Sequence, residues 1–321
     1  MTRRVVFTDH TFDNLSIERE ILDPIDVELV DGEASDEPLT ELLRDADGVL
    51  VMYEQIDADV IDELSCRVIS RTGIGVDNVD IDAATERGIY VTNVPDYCIA
   101  EVSDHTLALL LGLQRKVVTY HEQVENGEWD VMAGRPMHRL DGRTFALVGF
   151  GAIARAVAEK VQAFGMDVRA HDPYLSDEEI REAGVEPAPD LQTLFTDADA
   201  ASVHVPLTEE TRGLVGEREL AAMNSSGYVL NTARGGIVDE AALVDALDAG
   251  EIAGAGLDVL VDEPPADDHP LRRDPRVILT PHAAWNSVES VVELREKAAT
   301  NVRDALEGEV PTYLVNRELA E

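Results

Sequence analysis

The sequence predicts an α/β chain folded as two doubly wound parallel-sheet domains, and three observations carry that prediction. Short β-rich apolar runs alternate with amphipathic stretches along the whole chain. The alternation comes as two successive series, separated by an irregular stretch over 126–141 that holds Gly127, Gly134 and Pro136. At 321 residues the chain exceeds one typical domain, and its 45% hydrophobic content is ample for real cores. Alternating strands and helices imply βαβ crossovers and parallel sheets. Two series then imply two domains with a cleft between them.

In the first series Val5-Val6-Phe7 is the opening strand, followed by Val27-Glu28-Leu29-Val30. Helical residues over 39–43 precede the strand Gly48 to Met52, and Val60 to Leu64 precedes Val68-Ile69-Ser70. A longer helical pattern begins near Glu101 and runs through Leu107, Leu110, Leu111 and Gln114. The second series opens on the strand Thr144 to Val148, with Gly149 turning into a helix that reaches Phe164. Val168 to His171, Ala200 to Val205, Tyr228 to Asn231 and Ala255 to Val259 read as further strands. The last helix, about Ser287 to Leu306, repeats apolar residues at Val291, Leu294, Ala298 and Val302.

Charge is the unusual bulk property. Asp and Glu number 65 against 26 Lys and Arg, a net −39, and only Lys116, Lys160 and Lys297 are lysines. The acids interleave with periodic apolar residues, so they read as solvated faces of folded elements and not as disorder. Such self-repulsion is tolerable where salt screens it, since the Debye length falls to roughly 3 Å at 1 M. A salt-rich, halophilic cytoplasm is the setting this composition predicts. The same charge excludes nucleic acid and anionic membrane as partners. No run is long enough to span a bilayer, and the N-terminus turns acidic at Asp9, too soon for a signal peptide. Cys66 and Cys98, with no CxxC and no histidine at ligand spacing, read as free thiols, and no metal site is expected.

Gly149-Phe150-Gly151-Ala152-Ile153-Ala154 fits G-x-G-x-x-G/A between a strand and a helix. In that pattern Gly149 makes the tight turn, Gly151 admits a pyrophosphate to the backbone, and a small third residue lets helix and strand pack. The phosphate then sits on helix N–H groups, here those of Ala152 and Ile153. Asp172 ends the next strand eighteen positions beyond Ala154. A carboxylate there accepts from ribose hydroxyls and repels a 2′-phosphate, so the cofactor expected is NAD over NADP. Arg169 is the neighbouring cation that would relax that choice.

Three later segments each put a chargeable residue after a strand-like run. Arg234 follows Tyr228 to Ala233 and precedes Gly235-Gly236; Glu263 follows Leu257 to Asp262; His282 follows Val277 to Pro281. Ligands of open α/β sheets bind beyond the carboxyl ends of strands, where these three would converge.

Asn231 to Gly236, Gly256 to Val259 with Glu263-Pro264, and Thr280-Pro281-His282 resemble the signatures of the D-isomer-specific 2-hydroxyacid dehydrogenases. Arg71 to Asp80 and Asn93-Val94-Pro95 match the family too. Within it, Met52-Tyr53 and His282-Ala283-Ala284-Trp285 resemble the C-terminal-binding-protein-like branch most, which includes transcriptional corepressors. The resemblance implies a Rossmann-type cofactor domain over 104–289 and a discontinuous flavodoxin-like substrate domain, 1–103 with 290–321. It implies hydride transfer between NAD and a small D-2-hydroxy acid or 2-keto acid, in a homodimer. Arg234 would anchor the substrate carboxylate. His282 would be the acid in reduction and the base in oxidation, with Glu263 orienting it. A glutamate at that place, where an amide would serve formate oxidation, fits hydroxy-acid chemistry. Ile74 and Gly75 resemble the loop that receives the carboxylate with N–H donors, with Tyr53 and Trp285 lining the substrate. Thr232, Ala233 and Asp258 align with the nicotinamide side, and Val205-Pro206 with the adenine edge. Trp129, in the stretch 126–141, resembles a dimerisation arm. Two alternatives stay open: an NAD-responsive binding protein with a vestigial site, and a 3-phosphoglycerate dehydrogenase.

Overall fold

Residues 2–320 are described by the computed structural model. The chain divides into two compact units, one of 1–98 with 286–321 and one of 99–285. The crossings lie at 98/99 and 285/286, a few residues before the 103/104 and 289/290 that the family resemblance implies. The reason is local: the first crossing meets the start of the helix Ile99–Gln114, and the second precedes Ser287, which caps the last helix.

The first unit holds five parallel strands, β1 (Arg3–Phe7), β2 (Val27–Asp31), β3 (Gly48–Val51), β4 (Val68–Arg71) and β5 (Tyr90–Thr92). Their order is β2-β1-β3-β4-β5, the flavodoxin-like winding that reverses between β1 and β3. β3 is buried at every position, as a strand covered on both faces must be. The helix Val288–Glu307 returns to this unit and lies against β3 and β4. A methyl on Gly48 would fall 3.0 Å from Val302 Cγ1, and Ser70 Oγ donates to the carbonyl of Ala298 at 3.0 Å. Ser287 and Ser290 cap that helix reciprocally, and Gly308 ends it with φ +92°. Its Arg295 is tied bidentately to Glu18, at 2.7 and 2.6 Å, both groups buried.

The second unit holds seven parallel strands, β6 (Thr144–Val148), β7 (Asp167–His171), β8 (Glu186–Pro187), β9 (Ala200–Val203), β10 (Tyr228–Asn231), β11 (Gly254–Leu257) and β12 (Val277–Leu279). The order is β12-β11-β10-β9-β6-β7-β8, so the winding reverses between β6 and β9. Period-two alternation splits its core in two: Phe145 and Leu147 join one cluster while Ala146 and Val148 join the other. β5, β8 and the helix Val117–Glu125 have no clear signature in the sequence. Two strands of three residues or fewer carry too little alternation, and no residue of that helix is buried. Both cysteines are buried, and burial pushes the Cys66 thiol up to about 12. No helix of the described residues is long and apolar enough to cross a membrane.

Candidate active site

In the second unit the reversal between β6 and β9 is a close backbone junction. Gly149 follows β6 with φ +82°, and a methyl on it would fall 2.6 Å from Val205 Cγ1 and 2.9 Å from the His204 carbonyl oxygen. Only glycine fits there. Gly151 is the opposite case: a methyl on it would meet nothing within 4 Å. It stands before the helix Ala152–Gln162, whose N-terminus carries no side-chain cap. Gly151 and Ala152 are exposed, Ile153 is half-buried, and Ala154 is fully buried against the sheet. That arrangement offers helix N–H groups beside open space, which fits a dinucleotide pyrophosphate.

Asp172 lies beside the loop, accepting from the Phe150 N–H at 2.9 Å and the Tyr174 N–H at 3.0 Å. A carboxylate has about four lone-pair sites, so acceptor capacity remains for ribose hydroxyls. Arg169 is turned elsewhere, 3.8 Å from the Glu186 carboxylate and bonded to the Thr196 carbonyl. Val205 and the exposed Pro206 follow β9 at the same end of the sheet. The His204 ring bonds back to Ser202 Oγ at 2.8 Å, and burial pulls its pKa down to about 4.

After β10, Asn231 stitches the turn that presents Arg234: it accepts from the Ala233 N–H and donates to the Arg234 carbonyl at 2.8 Å. Thr232 is buried and bonded to Thr106 Oγ1. Gly235 is pressed on the next loop, since a methyl there would fall 1.9 Å from the Leu260 carbonyl oxygen. Gly235 is therefore a packing requirement and Gly236, at φ +78°, a conformational one, which the sequence pattern alone did not disclose.

His282 Nδ1 lies 2.7 Å from Glu263 Oε2, while Glu263 Oε1 accepts from the Leu260 N–H at 3.0 Å. Burial works to raise the pKa of Glu263. The His282 hydrogen bond and charge outweigh it, with help from the Leu260 N–H and Arg234, and hold the carboxyl below its usual range. A carboxylate on Nδ1 fixes that nitrogen as the protonated one and leaves Nε2 for chemistry. His282 has φ +52°, a left-handed conformation that a non-glycine residue keeps only when its surroundings impose it. Asp258 imposes it. Its carbonyl accepts the His282 N–H at 2.8 Å, and its buried carboxylate accepts from Ala283 N–H, Ala284 N–H and Thr280 Oγ1. His105 Nε2 joins Thr280 Oγ1 at 2.9 Å. Asp258, placed by resemblance on the nicotinamide side, thus also builds the His282 turn. Trp285 is half-buried three residues on.

The remaining sequence-designated residues belong to the first unit. Tyr53 follows β3 and is 47% exposed, with Met52 buried before it. Ile74 and Gly75 follow β4, and the Ile74 carbonyl accepts from Asn93 Nδ2 at 2.7 Å. One residue here, Asp9, carried no sequence signal of a role, and Arg71 was legible only as the first residue of the family-like run Arg71 to Asp80. Asp9, just after β1, accepts from the Met52 N–H at 3.1 Å and the Tyr53 N–H at 2.6 Å. Arg71 packs its guanidinium on Gly73, where a methyl would overlap Nη1 at 1.2 Å, and lies in the electrostatic surroundings of the buried Tyr97 together with Tyr53.

A family model described as D-isomer specific 2-hydroxyacid dehydrogenase, NAD binding domain, matches residues 107–284. A glyoxylate reductase of Korarchaeum cryptofilum is 40% identical over 287 residues, 88% of this chain and 86% of that protein. A D-3-phosphoglycerate dehydrogenase of Methanocaldococcus jannaschii is 37% identical over 293 residues, which are 91% of this chain and 55% of the relative. The solved D-lactate dehydrogenase of Aquifex aeolicus, complexed with NAD and lactic acid, matches with a TM-score of 0.88 and 28% identity. That match covers 97% of this chain and 99% of the other.

Proposed function

This chain belongs to the D-isomer-specific 2-hydroxyacid dehydrogenases and is an NAD-dependent enzyme of that family, and on that premise we propose that it reduces a small, unphosphorylated 2-keto acid to the D-2-hydroxy acid. The observation that carries the reading is the His282–Glu263 pair at 2.7 Å on a turn held by Asp258. Gly149, Gly151, Ala152 and Ile153 would hold the pyrophosphate, Asp172 the ribose hydroxyls, and Val205 and Pro206 the adenine edge. Thr232, Ala233 and Asp258 would serve the nicotinamide side. Bound NADH supplies the hydride.

The protein's own groups do the rest. Arg234 would bind the substrate carboxylate through paired N–H donors, and on the family resemblance the backbone at Ile74 and Gly75 of the first unit is proposed as a carboxylate-binding loop. His282 Nε2–H gives its proton to the carbonyl oxygen as the carbon is reduced. Glu263 keeps the Nδ1 proton in place and stabilises the imidazolium before that transfer. Trp285 would line the substrate tail, and a half-buried indole favours an apolar tail over a phosphate, while Tyr53 of the first unit is proposed as a substrate-side residue on the family resemblance. His282→Ala is expected to lower kcat by roughly 10²–10⁴-fold with NADH affinity within about threefold; near-parental turnover would end the acid–base assignment. A panel of glyoxylate, hydroxypyruvate, longer apolar 2-keto acids and a phosphorylated 2-keto acid, run with NADH and with NADPH, tests the substrate class. The phosphorylated acid giving the highest kcat/KM would overturn it.

The assembly is proposed as a homodimer. Trp129 is 90% exposed, near Val131 and Met132, and the helix Val117–Glu125 leaves Val117, Val118 and Val124 exposed. Apolar side chains gathered on one segment mark an interaction surface. Light scattering of the parent and of Trp129→Asp checks it, with a monomeric parent as the contrary result. The net charge of −39 also supports work in concentrated salt. Molar KCl is expected to raise both activity and the unfolding midpoint, and full retention of both at low salt would refute the halophilic setting.

A further inference from the structure

We propose that Glu240 is a positioning residue for the reaction, holding the loop that carries Glu263 from both ends of that loop. The inference rests on the acid–base reading of Glu263 and His282. The loop runs from Asp258 to His269, and residues 261–264 are exposed, so apolar burial contributes little to holding them. Glu240, at the first position of the helix Glu240–Ala249, supplies what burial does not. Its Oε1 accepts from the Val261 N–H at 2.7 Å, two residues before Glu263. Its Oε2 lies 3.1 Å from His269 Nε2, six residues after it, and both side chains are about four-fifths buried, at 18% and 19% exposed.

His269 has no better use for its ring. Its Nδ1 is buried without a partner among the described residues, so the tie to Glu240 is what orients the imidazole. A charge-assisted hydrogen bond to a backbone N–H is among the stronger local restraints available to an exposed loop. Gly235 adds a second restraint. It allows the backbone after Arg234 to lie directly on Leu260 and Val261, where a methyl would sit 1.9 Å from the Leu260 oxygen and 2.5 Å from the Val261 nitrogen. Val261 is thus fixed between Glu240 and the Arg234 turn. Releasing it moves the Glu263 carboxylate relative to His282 Nδ1. A misplacement of about 1 Å in a supporting group costs on the order of 10²-fold in rate.

The test is a double-mutant cycle on the full chain. Glu240→Ala is expected to lower kcat by roughly 10- to 100-fold, by more than it raises KM, with NADH affinity unchanged. Glu240→Gln keeps an oxygen for the Val261 N–H and is expected to recover kcat to within about threefold of the parent. In a Glu263→Gln background, Glu240→Ala is expected to change kcat by less than about threefold, because its effect passes through Glu263. Without cofactor, the downfield proton resonance of His282 Nδ1–H is expected to weaken in Glu240→Ala and return in Glu240→Gln. Near-parental kcat in Glu240→Ala, or an undiminished loss in the Glu263→Gln background, overturns the proposal. If Glu240→Ala does not fold, His269→Ala, which removes one of the two ties, replaces it in the same cycle. Near-parental kcat in Glu263→Gln itself is a different failure, that of the acid–base reading.

Discussion

The two sheets reverse their winding in the same way and fill the reversal in opposite ways. Between β6 and β9 the second unit uses glycines: Gly149 closes the junction and Gly151 leaves open space in front of uncapped helix N–H groups. Between β1 and β3 the first unit places its own anion, the Asp9 carboxylate, on the N–H groups of Met52 and Tyr53. Donors at the carboxyl ends of parallel strands attract negative charge in either case. One unit leaves its donors facing open space, as the proposed pyrophosphate cradle requires, and the other uses the equivalent place to fix the loop that carries Tyr53. Winding alone therefore says where a ligand can bind, and the residue at the reversal says whether one does.

The largest effect that sharpens this contrast is at the glycines. Gly149→Ala forces φ +82° on a residue with a Cβ and drives that methyl into Val205 and His204. It is expected to cost roughly 2–4 kcal/mol in a denaturant titration and to abolish tight NADH binding. Gly151→Ala is expected to leave stability within about 0.5 kcal/mol while weakening NADH binding, measured by fluorescence. Equal losses of stability in both variants would break the distinction between a closed junction and an open cradle.

A smaller effect is expected at Asp9. Asp9→Ala leaves two backbone donors without their acceptor, a cost of about 1–3 kcal/mol. The loop carrying Tyr53 then loosens, so KM for the keto acid rises while the NADH dissociation constant does not. Asp9→Asn, whose amide oxygen still accepts, is expected to recover most of the loss. A change in NADH affinity in Asp9→Ala would contradict the assignment of this anion to the substrate loop.

The smallest effect is a pH dependence at the β9 end of the junction. Burial holds His204 at about 4, below its ordinary 6.5, so the folded state resists its protonation. Stability from this group is full above pH 6.5 and is lost as pH falls toward 4. Glu263, also depressed, loses its share only lower, as pH falls through and below the ordinary carboxylate range. His204→Gln is expected to flatten the stability profile in the upper window alone, by chemical denaturation at fixed salt. An unchanged slope there would show that the crowded surface carboxylates, not His204, govern the acid limb.

Sequence by itself determined the α/β class, the two series of strands, the glycine fingerprint with Asp172, and the three chargeable residues after β10, β11 and β12. Each is a local signal: apolar period, turn chemistry, or a reactive side chain following a buried run. It did not disclose Asp9, Glu240 or the reason for Gly235. An aspartate after a strand and a glutamate opening a helix read as ordinary solvated acids in a chain with 65 of them. Their roles come from partners 43 to 44 and 21 positions away, and no periodicity encodes such a pairing. The double role of Asp258 and the left-handed turn of His282 were hidden for the same reason. Only the tertiary structure decided them, because backbone N–H groups have no identity in a sequence until the fold fixes which carboxylate they meet.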